Sequence, residues 1–111
     1  MPDFGLPDTT LAIIRQILAD FPAVEKAILY GSRAKGNYQH GSDIDLTLIG
    51  DHLDFRTLGE IASRLEESTI PYMVDLSLWH RLNHAGLQEH IERVGVVFYQ
   101  RAGAGEGRVQ V

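Results

Sequence analysis

Apolar residues recur along the chain with two different spacings. In three segments an apolar residue returns every three or four positions, which predicts amphipathic helices with one buried side. These segments are residues 9–20, 54–67 and 80–93. Four shorter runs are continuously apolar or alternate between apolar and polar residues, which predicts strands. They are residues 24–30, 43–49, 72–78 and 96–99. Asp8 stands before the first helix in the position of an N-terminal cap.

The order of these elements predicts the fold class. The predicted order is helix, strand, strand, helix, strand, helix and strand. This order predicts an α/β (α+β) fold with one small mixed β-sheet and helices packed mainly on one face. Residues 31–41, between the first two strands, are rich in glycine and basic residues and predict a loop. We therefore expect one domain over residues 1–101, followed by a flexible Gly-rich tail at 102–111.

Composition and charge narrow the class of protein. The 111 residues, 44% of them hydrophobic, fit a single globular domain. The lack of cysteine excludes a disulfide scaffold, a thiolate zinc site and a cysteine nucleophile. A net charge of -5 disfavours stable, non-specific binding to nucleic acid. Because the chain shows no signal peptide and no apolar run of membrane-spanning length, we expect a cytoplasmic protein without a membrane partner.

Two aspartates carry the first candidate chemistry. Asp43 and Asp45 lie two positions apart in the second predicted strand, so their side chains point to the same face. Two like charges at about 4 Å repel by roughly 4 kcal/mol at an effective dielectric constant of about 20. Mg²⁺, which proteins hold with one or two carboxylates plus substrate phosphates, would relieve this repulsion. The pair therefore predicts a magnesium site.

The residues just before this pair suit a phosphate group. Gly31 lets the backbone approach an anion closely, and Ser32 offers a hydroxyl and an amide donor. Arg33 and Lys35 follow in the loop and can neutralise phosphate charge. Asp75, in the third predicted strand, supplies a third carboxylate if that strand is a neighbour of the second. Three acids can hold two metal ions, one at the attacking hydroxyl and one at the triphosphate.

This arrangement resembles the nucleotidyltransferase superfamily that includes the β-type DNA polymerases. Its hallmark is Gly-Ser, a short loop, Asp-x-Asp and a later single Asp, and here Gly31-Ser32, Asp43-Ile44-Asp45 and Asp75 match it. The longer string LYGSRAKGNYQHGSDIDL is similar to the minimal nucleotidyltransferase (MNT) branch, whose members are antitoxins encoded beside HEPN-domain ribonuclease toxins. The resemblance covers roughly residues 28–99.

The resemblance implies an activity, a partner and a set of site residues. The activity is Mg²⁺-dependent transfer of AMP from ATP to a hydroxyl, such as that of a tyrosine, on a HEPN-type toxin, with two Mg²⁺ ions in the site. The implied catalytic and metal-binding residues are Asp43, Asp45 and Asp75. The implied nucleotide-binding residues are Gly31, Ser32, Arg33 and Ser42.

Other interpretations of the same residues remain open at this stage. The protein could neutralise its partner by steric occlusion, as a non-catalytic binding module with a vestigial acidic site. The Gly-Ser pair could be a plain turn beside a solvated strand edge. His80 and His84 have the spacing of a helical zinc pair, but without an HExxH pattern a solvent-facing helix explains them better.

Overall fold

The computed structural model describes residues 4–102, in which helices and strands alternate along the chain. The helices are α1 (Asp8–Ala19), α2 (Ser32–Lys35), α3 (Phe55–Glu67) and α4 (Ala85–Val94). The strands are β1 (Lys26–Tyr30), β2 (Ile44–Ile49), β3 (Val74–Leu78) and β4 (Val96–Gln100). A 3₁₀ turn, Trp79–Arg81, follows β3.

The four strands of this region form one mixed sheet in the order β3-β2-β1-β4. Strand β1 pairs antiparallel with both β2 and β4, whereas β2 and β3 run parallel. A parallel pair needs a long crossover connection, and α3 provides it between β2 and β3. The mixed sheet and the α+β class predicted from the element order are confirmed.

The main core lies on one face of the sheet. Ile44, Leu46 and Leu48 alternate along β2 and are completely buried, as the spacing of apolar residues predicts. Helices α1 and α3 cover this face and contact each other, with α3 also contacting β3. Helix α4 contacts β1, and the contact of its His90 ring with Tyr30 places it on the other face of the sheet. The helices therefore lie mainly, but not entirely, on one face.

Two helix starts differ from the sequence prediction. The predicted cap at Asp8 is wrong, because Asp8 is the first residue of α1 and Pro7 occupies the cap position without a side-chain hydrogen bond. The predicted helix over residues 80–93 is divided: the 3₁₀ turn comes first, and α4 begins only at Ala85. His84 Nδ1 accepts a hydrogen bond from the backbone N–H of Leu87 and so caps α4. The helical spacing of His80 and His84 is thereby lost.

One further segment differs from its predicted structure, and another lies largely outside the described residues. Helix α2 lies inside the segment predicted as a loop, where its single turn is too short to give an apolar period. The predicted tail, apart from Ala102, lies outside the described residues. Among residues 4–102, no helix has the length and apolar character needed to span a membrane.

Candidate active site

Asp45 and Asp75 lie opposite each other on neighbouring strands. They are Cα partners in the parallel pairing of β2 with β3, so their side chains lie on the same face of the sheet. This is the face opposite the core, since Ile44 and Leu46 on either side of Asp45 are completely buried. Asp75 is exposed, and Asp45 is partly buried. The structure thus places the later aspartate beside the Asp-x-Asp motif.

Asp43 completes a cluster of negative charge around Asp45. It is exposed and lies one residue before the start of β2. Burial raises the pKa of the Asp45 carboxyl, and the charges of Asp75 and Asp43 raise it further, whereas the charge of His90 lowers it. The site therefore opposes the charge of Asp45 unless a cation is present.

Gly31 brings the backbone into contact with this cluster. It lies between β1 and α2 with φ +78° and ψ -157°, a conformation that is essentially restricted to glycine. A Cβ at this position would collide with the carboxylate of Asp45. Ser32 follows directly as the first residue of α2. The Gly-Ser pair predicted to approach a phosphate group therefore lies against the Asp-x-Asp motif.

Arg33 is buried, with its guanidinium bound to other parts of the protein, and its predicted phosphate contact stays a prediction. The residue is 3% exposed, and its Nε and Nη2 both donate to the carbonyl of Ser42, at 3.0 and 2.8 Å. Its Nη1 donates to the carbonyl of Phe4 at 2.7 Å. The guanidinium also lies over the rings of Tyr38 and Tyr72, with its Cζ 5.1 Å from each centroid. Burial and three backbone hydrogen bonds assign it a structural role, whereas Lys35 is exposed.

Ser42 serves the loop that leads into β2. Its Oγ accepts a hydrogen bond from the backbone N–H of Gln39 at 2.8 Å, and its carbonyl accepts the two bonds from Arg33. Both oxygens thus have partners within the protein. The hydroxyl only accepts in this bond, and the nucleotide contact predicted for Ser42 stays a prediction.

Tyr30 and His90 are neighbours of the acidic cluster that the sequence alone does not single out. Tyr30 is the Cα partner of Asp45 on β1, is 8% exposed, and meets His90 edge to face with ring centroids 6.3 Å apart. Burial raises the pKa of the Tyr30 phenol, and the charges of Asp45 and Asp75 add to this, whereas the nearby Ser77 hydroxyl lowers it. The only local sequence feature that could have drawn attention to Tyr30 is its position directly before the Gly-Ser pair. Its contact with the acidic cluster depends on the register of β1 against β2, which the sequence does not reveal.

Thr47 and Ser77 form the next pair along the same face. They are Cα partners on β2 and β3, two residues beyond Asp45 and Asp75. Thr47 Oγ1 and Ser77 Oγ are buried; Thr47 Oγ1 has no hydrogen-bond partner among the described residues, whereas Ser77 Oγ lies close enough to the Tyr30 phenol to lower its pKa. A buried polar layer therefore lies next to the carboxylates.

The donor set fits a hard divalent cation that shares its ligands with a substrate. Asp43, Asp45 and Asp75 offer only oxygen donors, which Mg²⁺ prefers. Within residues 4–102, no three histidine or acidic side chains converge into a preformed metal cage. Mg²⁺ usually keeps several water ligands and takes others from nucleotide phosphates, so one or two carboxylates are enough as protein ligands. The residues fit the predicted ion, and the expected pair of ions stays a prediction.

Comparison with known sequences agrees with this geometry. A family model described as "Polymerase beta, Nucleotidyltransferase" matches residues 13–103. The chain is also 33% identical over 92 residues to a Haemophilus influenzae protein named "Probable protein adenylyltransferase MntA". That alignment covers 82% of this chain and 80% of the relative.

Solved structures of similar fold include toxin–antitoxin complexes. A crystal structure of a toxin-antitoxin with AMP-PNP matches with a TM-score of 0.67 and 24% identity, covering 84% of this chain and 75% of that chain. A structure of a tri-AMPylated Shewanella oneidensis HEPN toxin in complex with MNT antitoxin matches with a TM-score of 0.63 and 22% identity. It covers 88% of this chain and 76% of the matched chain. At these identities the likeness concerns the fold.

Proposed function

This chain belongs to the Polymerase beta nucleotidyltransferase family, and from that premise we propose that it transfers AMP from ATP to a tyrosine hydroxyl of a HEPN-type toxin. The relative from Haemophilus influenzae is named as a protein adenylyltransferase, which supports AMP as the transferred group and a protein as the acceptor. The similar fold of an MNT antitoxin, solved with a tri-AMPylated HEPN toxin, supports the class of partner.

The pairing of Asp45 with Asp75 is the observation that carries the proposal. It places a carboxylate of the Asp-x-Asp motif beside a second carboxylate on an open face of the sheet, with the Gly31 backbone against it. Such a cluster of like charges favours a site built for a cation and a polyanion. A solvated strand edge would not need a glycine in contact with the acid.

Each residue has a distinct role in this proposal. Asp43 and Asp45 hold Mg²⁺, which when bound neutralises charge on the triphosphate and favours attack at the α-phosphorus. The Gly31 backbone and the Ser32 hydroxyl bind the terminal phosphates. A carboxylate oxygen of Asp75 accepts the proton of the acceptor hydroxyl. The oxygen of that hydroxyl bonds to the α-phosphorus as the bond from the α-phosphorus to pyrophosphate breaks. Catalysis then comes mainly from positioning and charge neutralisation.

One assay tests this function directly. The protein is incubated with ATP and a HEPN-type toxin, with and without Mg²⁺, and the masses of both chains are measured by mass spectrometry. We expect the partner to gain the mass of one or more AMP groups only when Mg²⁺ is present. The same reaction with Asp43→Asn and Asp45→Asn together should leave the partner unmodified. An unmodified partner that is still inhibited, and stays inhibited by the double variant, would instead support steric occlusion.

A further inference from the structure

Arg33 contacts both chain segments that lead into the acidic strands. Its Nε and Nη2 bind the carbonyl of Ser42, the residue directly before Asp43. Its guanidinium lies over the ring of Tyr72, which comes two residues before the start of β3, the strand of Asp75. One buried side chain therefore links the approaches to the two strands that carry the carboxylates.

We propose that Arg33 is a positioning residue, which holds the loop before β2 so that Asp43 and Asp45 reach the site in register. The role of those two carboxylates in metal binding rests on the proposed function. The effect of Arg33 on the structure of the loop is independent of that function. Arg33 acts through Ser42 and the loop, and it makes no contact with substrate.

The loop has few other anchors. Within residues 37–43, hydrogen bonds join the backbone N–H of Gln39 to Ser42 Oγ and the backbone N–H of Ser42 to the Gln39 carbonyl, so both stay inside the loop. Asn37 donates back to the Ser32 carbonyl at the start of the loop. The forked bond from Arg33 ties the far end of the loop to α2. The next bond along the chain, from the backbone N–H of Ile44 to the Met73 carbonyl, comes only after Asp43, so loss of the fork should loosen the segment before Asp43.

The shape of the guanidinium explains why arginine is needed. Arg33 uses three nitrogens at once: two converge on the Ser42 carbonyl, and the third reaches the Phe4 carbonyl. Its flat face stacks on Tyr38 from the loop and on Tyr72. A lysine ammonium is a point charge on a flexible stem and can reproduce neither the fork nor the stacking. Arg33→Lys should therefore release the loop while keeping the positive charge.

The chain contains a matched control for this substitution. Arg101 is partly buried and also donates to three backbone carbonyls, those of Ala19, Phe21 and Val24. These carbonyls lie before the start of β1, whereas the acidic cluster lies beyond its other end, at Tyr30. Arg101→Lys therefore removes a comparable arginine clamp without touching the loop.

Hydrogen–deuterium exchange of the free protein tests the loop without any reaction. At a temperature where all variants are folded, exchange of the hydrogen-bonded amides of Asn37, Gln39 and Ser42 should become about tenfold faster in Arg33→Lys, because the loop opens locally. Exchange of the same amides should be unchanged in Arg101→Lys. Unchanged loop exchange in Arg33→Lys, or equal acceleration in both variants, would overturn the proposal. Since no AMP transfer is measured, this result stands even if the proposed function fails.

Kinetics then separate positioning from direct phosphate contact. We expect Arg33→Lys to raise the Mg²⁺ concentration for half-maximal AMP transfer by about tenfold, as loss of a residue that supports a metal ligand typically does. The KM for ATP, measured at saturating Mg²⁺, should change much less. A large rise in that KM with an unchanged Mg²⁺ dependence would overturn the proposal in favour of a phosphate contact.

Discussion

Asp45 of β2 and Asp75 of β3 face each other across a parallel strand pair, on the side of the sheet away from the core. The parallel direction matters, because both strands then begin at the same end of the sheet. Their entry segments, which contain Ser42 and Tyr72, also meet there, and Arg33 joins them. The position of the acids thus depends on contacts made before the strands begin.

The charge cluster predicts a gain in stability when Asp45 is neutralised. Its pKa is raised in the folded protein by burial and by Asp75 and Asp43, so the ionised form is disfavoured on folding. A folded-state pKa above the unfolded value means that stability falls as pH rises through these values. Asp45→Asn should therefore raise the Tm at about pH 7.5, with a difference that shrinks as the pH approaches about 4.

Thermal unfolding across this pH range measures the effect. Asp51→Asn, which removes an exposed acid in a turn, is the control for the loss of one negative charge and should change the Tm much less at about pH 7.5. A lower Tm for Asp45→Asn at about pH 7.5 would show that burial and the neighbouring charges do not make ionised Asp45 destabilising.

A second prediction concerns metal and nucleotide binding. Because a ligand that binds only the folded state stabilises it, Mg²⁺ with ATP at about 100 times the Kd should add about 2.7 kcal/mol and raise the Tm. Asp43→Asn combined with Asp45→Asn should abolish this shift while leaving the free protein folded. Differential scanning fluorimetry with and without Mg²⁺ is sufficient to measure it. If the double variant kept the full shift, the nucleotide site would lie elsewhere.

Parts of the fold and site could be predicted from local sequence alone. The alternation of Ile44, Leu46 and Leu48 marks the buried face of β2, and the same alternation puts Asp43 and Asp45 on the other face. Such periodicity needs no knowledge of distant residues. The element order was likewise sufficient for a mixed sheet.

Other features depend on long-range contacts. Tyr30 joins the acidic cluster only through the register of β1 against β2, which a single sequence does not specify. The sequence predicts Arg33 as a basic loop residue available to a phosphate. Its burial between Tyr38 and Tyr72 arises only from the folded structure, so the sequence alone does not reveal it. The predicted helix over residues 80–93 begins too early. The His84 side chain accepts a hydrogen bond from the Leu87 N–H and so fixes the start of α4 at Ala85, which the spacing of apolar residues does not indicate.

Gly31→Ala should damage both stability and the site. The backbone conformation at Gly31 costs a residue with a Cβ about 1–3 kcal/mol, and the new methyl would also displace the Asp45 carboxylate. Gly36→Ala is the control, since Gly36 also has a positive φ (86°) but a Cβ there would meet no other atom within 4 Å. Both variants should unfold at lower urea concentration. Only Gly31→Ala should also lose the Tm shift with Mg²⁺ and ATP.

Thr47→Val should stabilise the protein. Thr47 is completely buried and its hydroxyl has no hydrogen-bond partner among the described residues, so a methyl group of similar shape in its place removes an unsatisfied polar atom. The expected gain is about 1 kcal/mol, measured as a higher urea midpoint at constant m-value. Thr47→Ser keeps the hydroxyl and removes the methyl, so it should instead destabilise by about 1 kcal/mol. A loss of stability in Thr47→Val would mean that the hydroxyl has a partner, such as a buried water molecule.

Asp75→Asn separates nucleotide binding from transfer. If Asp75 accepts the proton of the acceptor hydroxyl, its amide analogue cannot do so, and AMP transfer should fall by about 100-fold or more. Because Asp43 and Asp45 remain, the Tm shift with Mg²⁺ and ATP should stay close to that of the unmodified protein. Asp51→Asn, which alters an exposed acid in a turn, should change neither quantity. Loss of the Tm shift in Asp75→Asn would mean that Asp75 is needed to hold the metal, and its role as the base would then be untenable.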